Sequence, residues 1–155
     1  MKVLIFSDSH GNVANMEEAV RLESPDRIFH LGDLVRDAEA LAEKFPNIPL
    51  TYVPGNCDGQ RPDLPEERLF TLDGVKILMT HGHIYHVKMS MALAVRSARE
   101  EGARLLCFGH THEPFCKFEN GLWILNPGSV GSFREASYGV AVLEDSGAVC
   151  YLSHV

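Results

Sequence analysis

Short apolar runs alternate with amphipathic stretches along the chain, and several runs end in Gly, Asp, Asn or His. Lys2 to Ser7 is a continuous apolar run and reads as a buried strand. Asn15 to Leu22 sets Met16, Ala19, Val20 and Leu22 at helical spacing. Arg27 to Leu31 reads as a second strand, ending at Gly32-Asp33. Ala38 to Phe45 reads as a short helix stopped by Pro46, which cannot continue it. Leu50 to Val53 is a third strand, ending at Pro54-Gly55-Asn56.

The pattern changes after this. Arg68 to Leu72 and Val75 to Thr80 are strand-like runs joined by Asp73-Gly74, a strong hairpin signal. Val87 to Glu101 is rich in Ala, Met, Leu, Arg and Glu and predicts a long helix, with Gly102 as its cap. Arg104 to Phe108 is another buried strand, ending at Gly109-His110. Two further hairpins join Phe115–Phe118 to Leu122–Leu125 through Glu119-Asn120-Gly121, and Tyr138–Leu143 to Ala148–Leu152 through Asp145-Ser146-Gly147. A βαβαβ first half and a hairpin-rich second half predict an α/β (α+β) fold of two packed mixed sheets flanked by helices. Its 155 residues fit one domain spanning 1–155.

Hydrophobic residues make up 45% of the chain and charged residues 23%, an ordinary globular balance. The net charge of −7 argues against stable binding to nucleic acid or an anionic membrane, which would call for a basic face. A small nucleotide stays compatible, because bound divalent ions would supply local positive charge. Cys57, Cys107, Cys116 and Cys150 are scattered with no CxxC pair, so a reducing compartment without disulfides is expected. MKVLIFSDSHG lacks the apolar core of a signal peptide and no stretch is long enough to span a bilayer, which predicts a cytoplasmic protein.

Five strand-end segments carry the chemistry: Asp8-Ser9-His10-Gly11-Asn12, Gly32-Asp33, Gly55-Asn56-Cys57-Asp58, His81-Gly82-His83 and Gly109-His110-Thr111-His112. In open α/β architectures functional groups gather beyond the carboxyl ends of strands. Carboxylates, an amide oxygen and imidazoles without thiolate suit Mn, Ni, Co, Fe or catalytic Zn. Asp8 and His10 are two residues apart, as are His110 and His112, so each pair can turn toward one ion. Taken singly, each residue reads as a turn former, helix cap or ordinary histidine. His30, His86 and His154 stay on that plain reading, and His83 is intermediate. Five such segments in order outweigh it for the rest.

Asp8-x-His10, Gly32-Asp33, Gly55-Asn56, His81 and Gly109-His110-Thr111-His112 together resemble the calcineurin-like metallophosphoesterase superfamily. Asn126-Pro127-Gly128-Ser129 resembles its small bacterial and archaeal phosphodiesterase branch. The resemblance implies a sandwich of two mixed sheets and two divalent ions per chain, manganese first among them. One ion would take Asp8, His10, Asp33 and His112. The other would take Asp33, Asn56, His81 and His110, with Asp33 bridging. It implies phosphodiester hydrolysis by a hydroxide shared between the ions, with the metals, Asn56 and Asn12 meeting the charge that develops on the phosphoryl oxygens.

Many members carry a histidine after Gly-Asn, thought to protonate the leaving group. This chain has Cys57 there, followed by Asp58. A thiol is a poorer acid than an imidazolium, so diesters with good leaving groups are the expected small substrates. Cys57 and Asp58 stand with Asn56 as candidate catalytic residues; Asn12, His83 and Arg134 stand as candidate substrate contacts. A phosphomonoesterase or a dinucleoside polyphosphate hydrolase is the alternative within the enzyme class. An interaction scaffold like the retromer subunit of this fold is the alternative outside it. Exposed short strands such as Phe115–Phe118 offer an interface for a homo-oligomer.

Overall fold

The computed structural model describes residues 1–155. Its first half runs β1 (Lys2–Phe6), α1 (Val13–Glu23), β2 (Arg27–His30), α2 (Val35–Lys44) and β3 (Leu50–Tyr52). The second runs β4 (Glu67–Leu72), β5 (Val75–Thr80), α3 (Ala92–Glu100), β6 (Leu105–Cys107), β7 (Phe115–Glu119), β8 (Leu122–Asn126), β9 (Ser137–Glu144) and β10 (Gly147–His154). One sheet has the order β10-β9-β1-β2-β3 and the other β4-β5-β6-β8-β7. Each is mixed: in the first, parallel β1-β2-β3 run out to one edge and antiparallel β9 and β10 form the other side, and in the second, parallel β5-β6-β8 lie between antiparallel β4 and β7.

Strand periodicity sorts the apolar residues into layers. Val3 and Ile5 of β1, Phe29, Leu31 and Val53 face the second sheet and meet Ile77, Met79, Leu105, Cys107 and Leu125 in the central core. Leu4 and Phe6 point the other way, under Met16, Ala19 and Val20 of α1 and Leu41 of α2. Leu78, Leu106 and Phe108 turn outward from the second sheet against Ala94 and Ala98 of α3. Each fully buried large apolar side chain contributes roughly 1.5–3 kcal/mol. No helix is long and apolar enough to cross a membrane.

Three features differ from the pattern-based expectation. The long helix begins at Ala92, not Val87. The preceding segment is a 3-10 turn at His83–Tyr85, held by Tyr85 and Val87 amides that both donate to the Gly82 carbonyl, and Val87 is used in the core instead. α2 starts at Val35, not Ala38, because the Asp58 carboxylate caps it from outside by accepting the Val35 amide at 2.7 Å. The last hairpin turns on Asp145-Ser146 alone, both in the left-handed region, and Gly147 already belongs to β10. Asp73-Gly74 and Asn120-Gly121 make the same two-residue left-handed turns.

Candidate metal centre

The carboxyl ends of the parallel strands of both sheets lie at one edge of the sandwich. β1 delivers Asp8 and His10, β2 delivers Asp33, and β3 delivers Asn56. β5 delivers His81, and β6 delivers His110 and His112. Five of these seven residues hold a left-handed backbone: Asp8 (φ 55°), His10 (44°), Asp33 (49°), His110 (70°) and His112 (61°). L-residues other than Asn and Asp seldom sit there. Two glycines make room beside them. A Cβ on Gly55 would stand 2.1 Å from Asp33 Oδ1, and one on Gly109 would stand 2.0 Å from Ser7 Oγ and 2.9 Å from Asp8 Oδ2.

The side chains converge in two groups. Donor atoms of Asp8, His10 and His112 lie within 4.8 Å of one another, as do those of Asp33, His81 and His110. Asn56 joins the second group, its Oδ1 being 3.1 Å from His81 Nε2. Both carboxylates are held in the same way, with one oxygen anchored and the other presented. Asp8 Oδ2 accepts from the Ser7 hydroxyl (2.5 Å) and the His110 amide (3.1 Å). Asp8 Oδ1 is buried without a hydrogen bond; His112 Nε2 approaches it at 3.0 Å without the alignment of one, and His10 Nε2 stands at 3.7 Å. Asp33 Oδ1 accepts the Cys57 amide at 2.9 Å, and Oδ2 faces His81 Nε2 at 3.4 Å.

His81 tests whether a cation fits. Its Nδ1 lies 2.8 Å from the Leu31 carbonyl, which only accepts, so Nδ1 carries the ring proton. In the neutral ring Nε2 then presents a lone pair to Asn56 Oδ1, Asp33 Oδ2 and His110 Nδ1, the last at 3.2 Å. That face repels itself unless a proton or a metal ion lies within it. Burial works against the imidazolium, yet the Asp33 contact and the charges of Asp8 and Asp33 raise the His81 pKa above the usual histidine range. A divalent ion answers the same need with more charge. The unsatisfied Asp8 Oδ1 makes the parallel case in the first group.

The surrounding charges agree. Burial opposes ionisation of Asp8, but His112, His81 and Ser7 together hold its pKa below the ordinary value. Asp33 is likewise depressed well below the carboxylate range, against burial, by His81 and by Cys57. His110 falls to about 4 through burial and the positive charges of His81 and Lys88. His112 is raised by Asp8, against burial and against Lys88. The Cys57 pKa is raised by partial desolvation of its sulfur and by Asp33, so at neutral pH it is a thiol.

The candidate substrate contacts are placed less uniformly. Asn12 is the N-cap of α1, with its Oδ1 accepting the Asn15 amide at 3.2 Å. His83 packs beside the second group, its ring centroid 5.5 Å from that of His81 and 6.2 Å from that of His110. Arg134 is exposed on the loop between β8 and β9. Cys57 is exposed beside Asn56, whose Nδ2 lies 3.6 Å from the sulfur. Asp58 is fully engaged with backbone: its carboxylate accepts from Gly55 (2.7 Å), Val35 (2.7 Å) and Asp33 (3.0 Å).

Several supports escaped the sequence reading. The buried His30 accepts the Gly32 amide at Nδ1 (3.1 Å), so its Nε2 carries the proton and donates to Ser9 Oγ (3.0 Å). Ser9 in turn donates to Asp37 (2.7 Å), which also accepts the Gly11 amide (2.7 Å). This chain of bonds ties the Asp8–His10 loop to the Asp33 loop. Asn126 donates to the Gly109 carbonyl (3.2 Å) and Thr111 Oγ1 (2.9 Å), bracing the His110–His112 loop. Ser9, Gly11, Thr111 and Asn126 lie in segments the sequence already singles out, but nothing local pairs them with His30, Asp37 or Gly109.

The model of the calcineurin-like phosphoesterase superfamily domain matches residues 1–147. The probable metallophosphoesterase YsnB of Bacillus subtilis is 36% identical over 154 residues, covering 96% of this chain and 88% of that protein. Phosphodiesterase MJ0936 of Methanocaldococcus jannaschii is 25% identical over 162 residues, covering 93% of each. Among solved structures, a predicted phosphoesterase from Streptococcus pneumoniae superposes with a TM-score of 0.80 at 30% identity, covering 99% of this chain and 88% of that one.

Proposed function

The chain belongs to the calcineurin-like phosphoesterase superfamily, and we propose that within it this protein is a phosphodiesterase working through two divalent ions. The observation that carries this reading is the pair of donor groups, Asp8/His10/His112 and Asp33/His81/His110, each with an unsatisfied or self-repelling face turned inward. We assign Asp8, His10 and His112 to one ion and Asn56, His81 and His110 to the other, with Asp33 shared. Manganese is our first choice; Ni, Co, Fe and Zn suit the same oxygen and nitrogen donors.

When bound, two such ions act as Lewis acids that acidify water and offset charge on phosphoryl oxygens. The protein's own part is orientation. Ser7 and the His110 amide fix Asp8, and the Cys57 amide fixes Asp33, so each presents one oxygen inward. The Leu31 carbonyl sets the His81 tautomer that leaves Nε2 free to coordinate. With a neutral thiol at Cys57, that position offers no imidazolium to protonate a poor leaving group. That supports diesters with good leaving groups over alkyl monoesters. Four unpaired cysteines are in keeping with work in the cytoplasm.

The test is hydrolysis of bis-p-nitrophenyl phosphate beside p-nitrophenyl phosphate by metal-stripped protein titrated with Mn²⁺ or Ni²⁺. Metal-dependent turnover favouring the diester, and abolished by Asp33→Ala, is the expected result. A folded protein without turnover under any metal would overturn the reading.

A further inference from the structure

The identity of residue 57 bears on which group can leave. A cysteine stands there in place of an imidazole, and a thiol is a weak acid with no positive charge. The Asp58 carboxylate beside it is spent on the Gly55, Val35 and Asp33 amides. A group that departs past this position must be stable as an anion without receiving a proton. The alkoxide of a ribose or another alcohol is not. A phosphate monoester is, because its second pKa is about 6 and it leaves as a dianion at neutral pH. Such a group also carries charge, and so calls for a cation.

One stands free beside the donor groups. A Cβ on Gly82 would stand 2.8 Å from Val87 Cγ2 and 3.5 Å from Phe108 Cβ, so the buried Val87 packs between the His81–His83 loop and the end of β6 that leads to His110. Lys88 is the next residue and is exposed. The backbone around it is held by the Val87 amide on the Gly82 carbonyl (3.4 Å) and by the Met89 and Ser90 amides on the His86 carbonyl (2.9 and 3.3 Å). Lys2, Lys44 and Lys117 are ion-paired, and Lys88 is not. Outside the proposed ligand set, its charge is the strongest that bears on both His110 and His112.

Gly74 to Arg99 contains no Asp or Glu, in a chain of net charge −7. Glu67, on the neighbouring β4, accepts from the Tyr85 hydroxyl. Carboxylates accompany the other cations of the rim. In the cleft of about 610 Å³ beside Asn56 and His83, Arg61 is held by Asp63 (3.0 Å) and Glu39 (3.2 Å), and Glu66 shares the wall. In the cleft of about 360 Å³ beside His10 and His112, Glu135 lines the wall and follows the exposed Arg134. Glu113 follows His112. Negative charge on a substrate is therefore best met on the Lys88 side, beside His110.

We propose that the substrate is a pyrophosphate diester, two organic groups joined through a phosphoanhydride, and that Lys88 binds its departing phosphate. This rests on the phosphodiesterase reading above: the phosphorus attacked still carries two substituents, one ester and one anhydride. Water adds at that phosphorus, and the anhydride P–O bond breaks with its electron pair on the bridging oxygen. Two phosphate monoesters form, and two protons pass to solvent. The departing phosphate goes from one negative charge to two, and the Lys88 ammonium pairs more strongly with the dianion than with the bound substrate.

The experiment uses the metal-loaded protein, Lys88→Ala and Lys88→Arg, with substrates that share one nucleoside arm. They are the p-nitrophenyl ester of thymidine monophosphate, dithymidine pyrophosphate, and a dithymidine monophosphate whose leaving group is an alkoxide. The native protein should hydrolyse the pyrophosphate and the aryl ester at comparable rates and the alkoxide-releasing diester far more slowly. Lys88→Ala should lower kcat/KM for the pyrophosphate about tenfold, the scale of one exposed charge-assisted hydrogen bond, and far less for the aryl ester; Lys88→Arg should restore most of the loss. Calorimetry on the zinc-loaded protein reads binding apart from turnover. The methylene analogue of the pyrophosphate should bind about tenfold more weakly to Lys88→Ala, with metal affinity and Tm unaltered. Equal losses on the pyrophosphate and the aryl ester would move Lys88 to the reacting phosphate and overturn the proposal. So would a pyrophosphate that stays intact while the aryl ester turns over, or binding of the analogue that ignores Lys88. If nothing turns over while the analogue still binds through Lys88, the pyrophosphate site stands and the phosphodiesterase reading falls.

Discussion

Replacing Asp58 by asparagine separates a structural clasp from a proton donor. In the native protein Oδ2 accepts the Gly55 and Asp33 amides and Oδ1 accepts the Val35 amide, joining the two loops that carry Asn56 and Asp33 to the first turn of α2. Asparagine keeps one oxygen and can retain the two amides on that side. Its NH₂ then faces the Val35 N–H, donor against donor, and the negative charge at the helix N-terminus is gone. A hydrogen bond to a charged group contributes about 1.5–3 kcal/mol, and a charge at a helix N-terminus roughly 0.3–1 kcal/mol. Asp58 is half-buried, so water recovers part of this. The expected loss is about 2–3 kcal/mol. For a chain of this size that is roughly 4–12 °C in Tm. Calorimetry and urea unfolding measure it. The metal concentration for half-maximal diester turnover should rise, because Asp33 and Asn56 lose their brace, while kcat at saturating metal stays within a few-fold. An unchanged Tm with kcat down a hundredfold at saturating metal would refute the clasp and make Asp58 a chemical participant.

Metal removal and return should move stability in step with activity: loading at a hundred times Kd should add about 2.7 kcal/mol, read as a concentration-dependent Tm that Asp33→Ala abolishes. Gly109→Ala should destabilise by about 1–3 kcal/mol or more through overlap with Ser7 Oγ, and should weaken metal binding, both visible in thermal melts with and without Mn²⁺. His30, buried and held neutral, has its pKa lowered to about 4 by burial, against the pull of Asp8 and Asp37. The unfolded chain therefore takes up this proton first, and the stability that His30 confers is whole above about pH 6.5 and lost as pH falls toward 4, roughly 3 kcal/mol in all. Urea unfolding of metal-free protein at pH 7 and pH 4.5 should show a shallower decline for His30→Asn than for the native chain; parallel declines would sink this account.

Much of this structure is legible in local sequence because the informative features are local. Val3, Leu4, Ile5 and Phe6 form an unbroken apolar run, and a strand apolar on both faces has to lie between two cores. Asp73-Gly74 and Asn120-Gly121 specify left-handed turns by chemistry. The ligand-type residues stand at strand ends, and the βαβαβ order already points to a common edge. What was missed is non-local. Whether Val87–Met91 coils into α3 depends on a hold at the Gly82 carbonyl and on a place in the core, not on helix propensity. The early start of α2 comes from a carboxylate on another loop, that of Asp58. His30 looked like an ordinary buried histidine because its partners, Ser9 and Gly32, come from two different turns. Nothing around Phe133 in the sequence says that its ring stands bare.

The left-handed backbone at Asp8, His10, Asp33, His110 and His112 bears on how such a protein can change over generations. Those conformations cost roughly 1–3 kcal/mol each in a non-glycine residue, and two of the five are acidic side chains held inward. Substituting any of these five by glycine removes a proposed ligand and relaxes the backbone in one step. Loss of catalysis is therefore thermodynamically downhill for the metal-free fold, and destroying the centre need not endanger the sandwich beneath it. A lineage released from the demand for hydrolysis would keep a sturdy two-sheet body with a vacated, reshapeable rim. Keeping the proposed ligand set against that slope would require selection for metal-dependent hydrolysis.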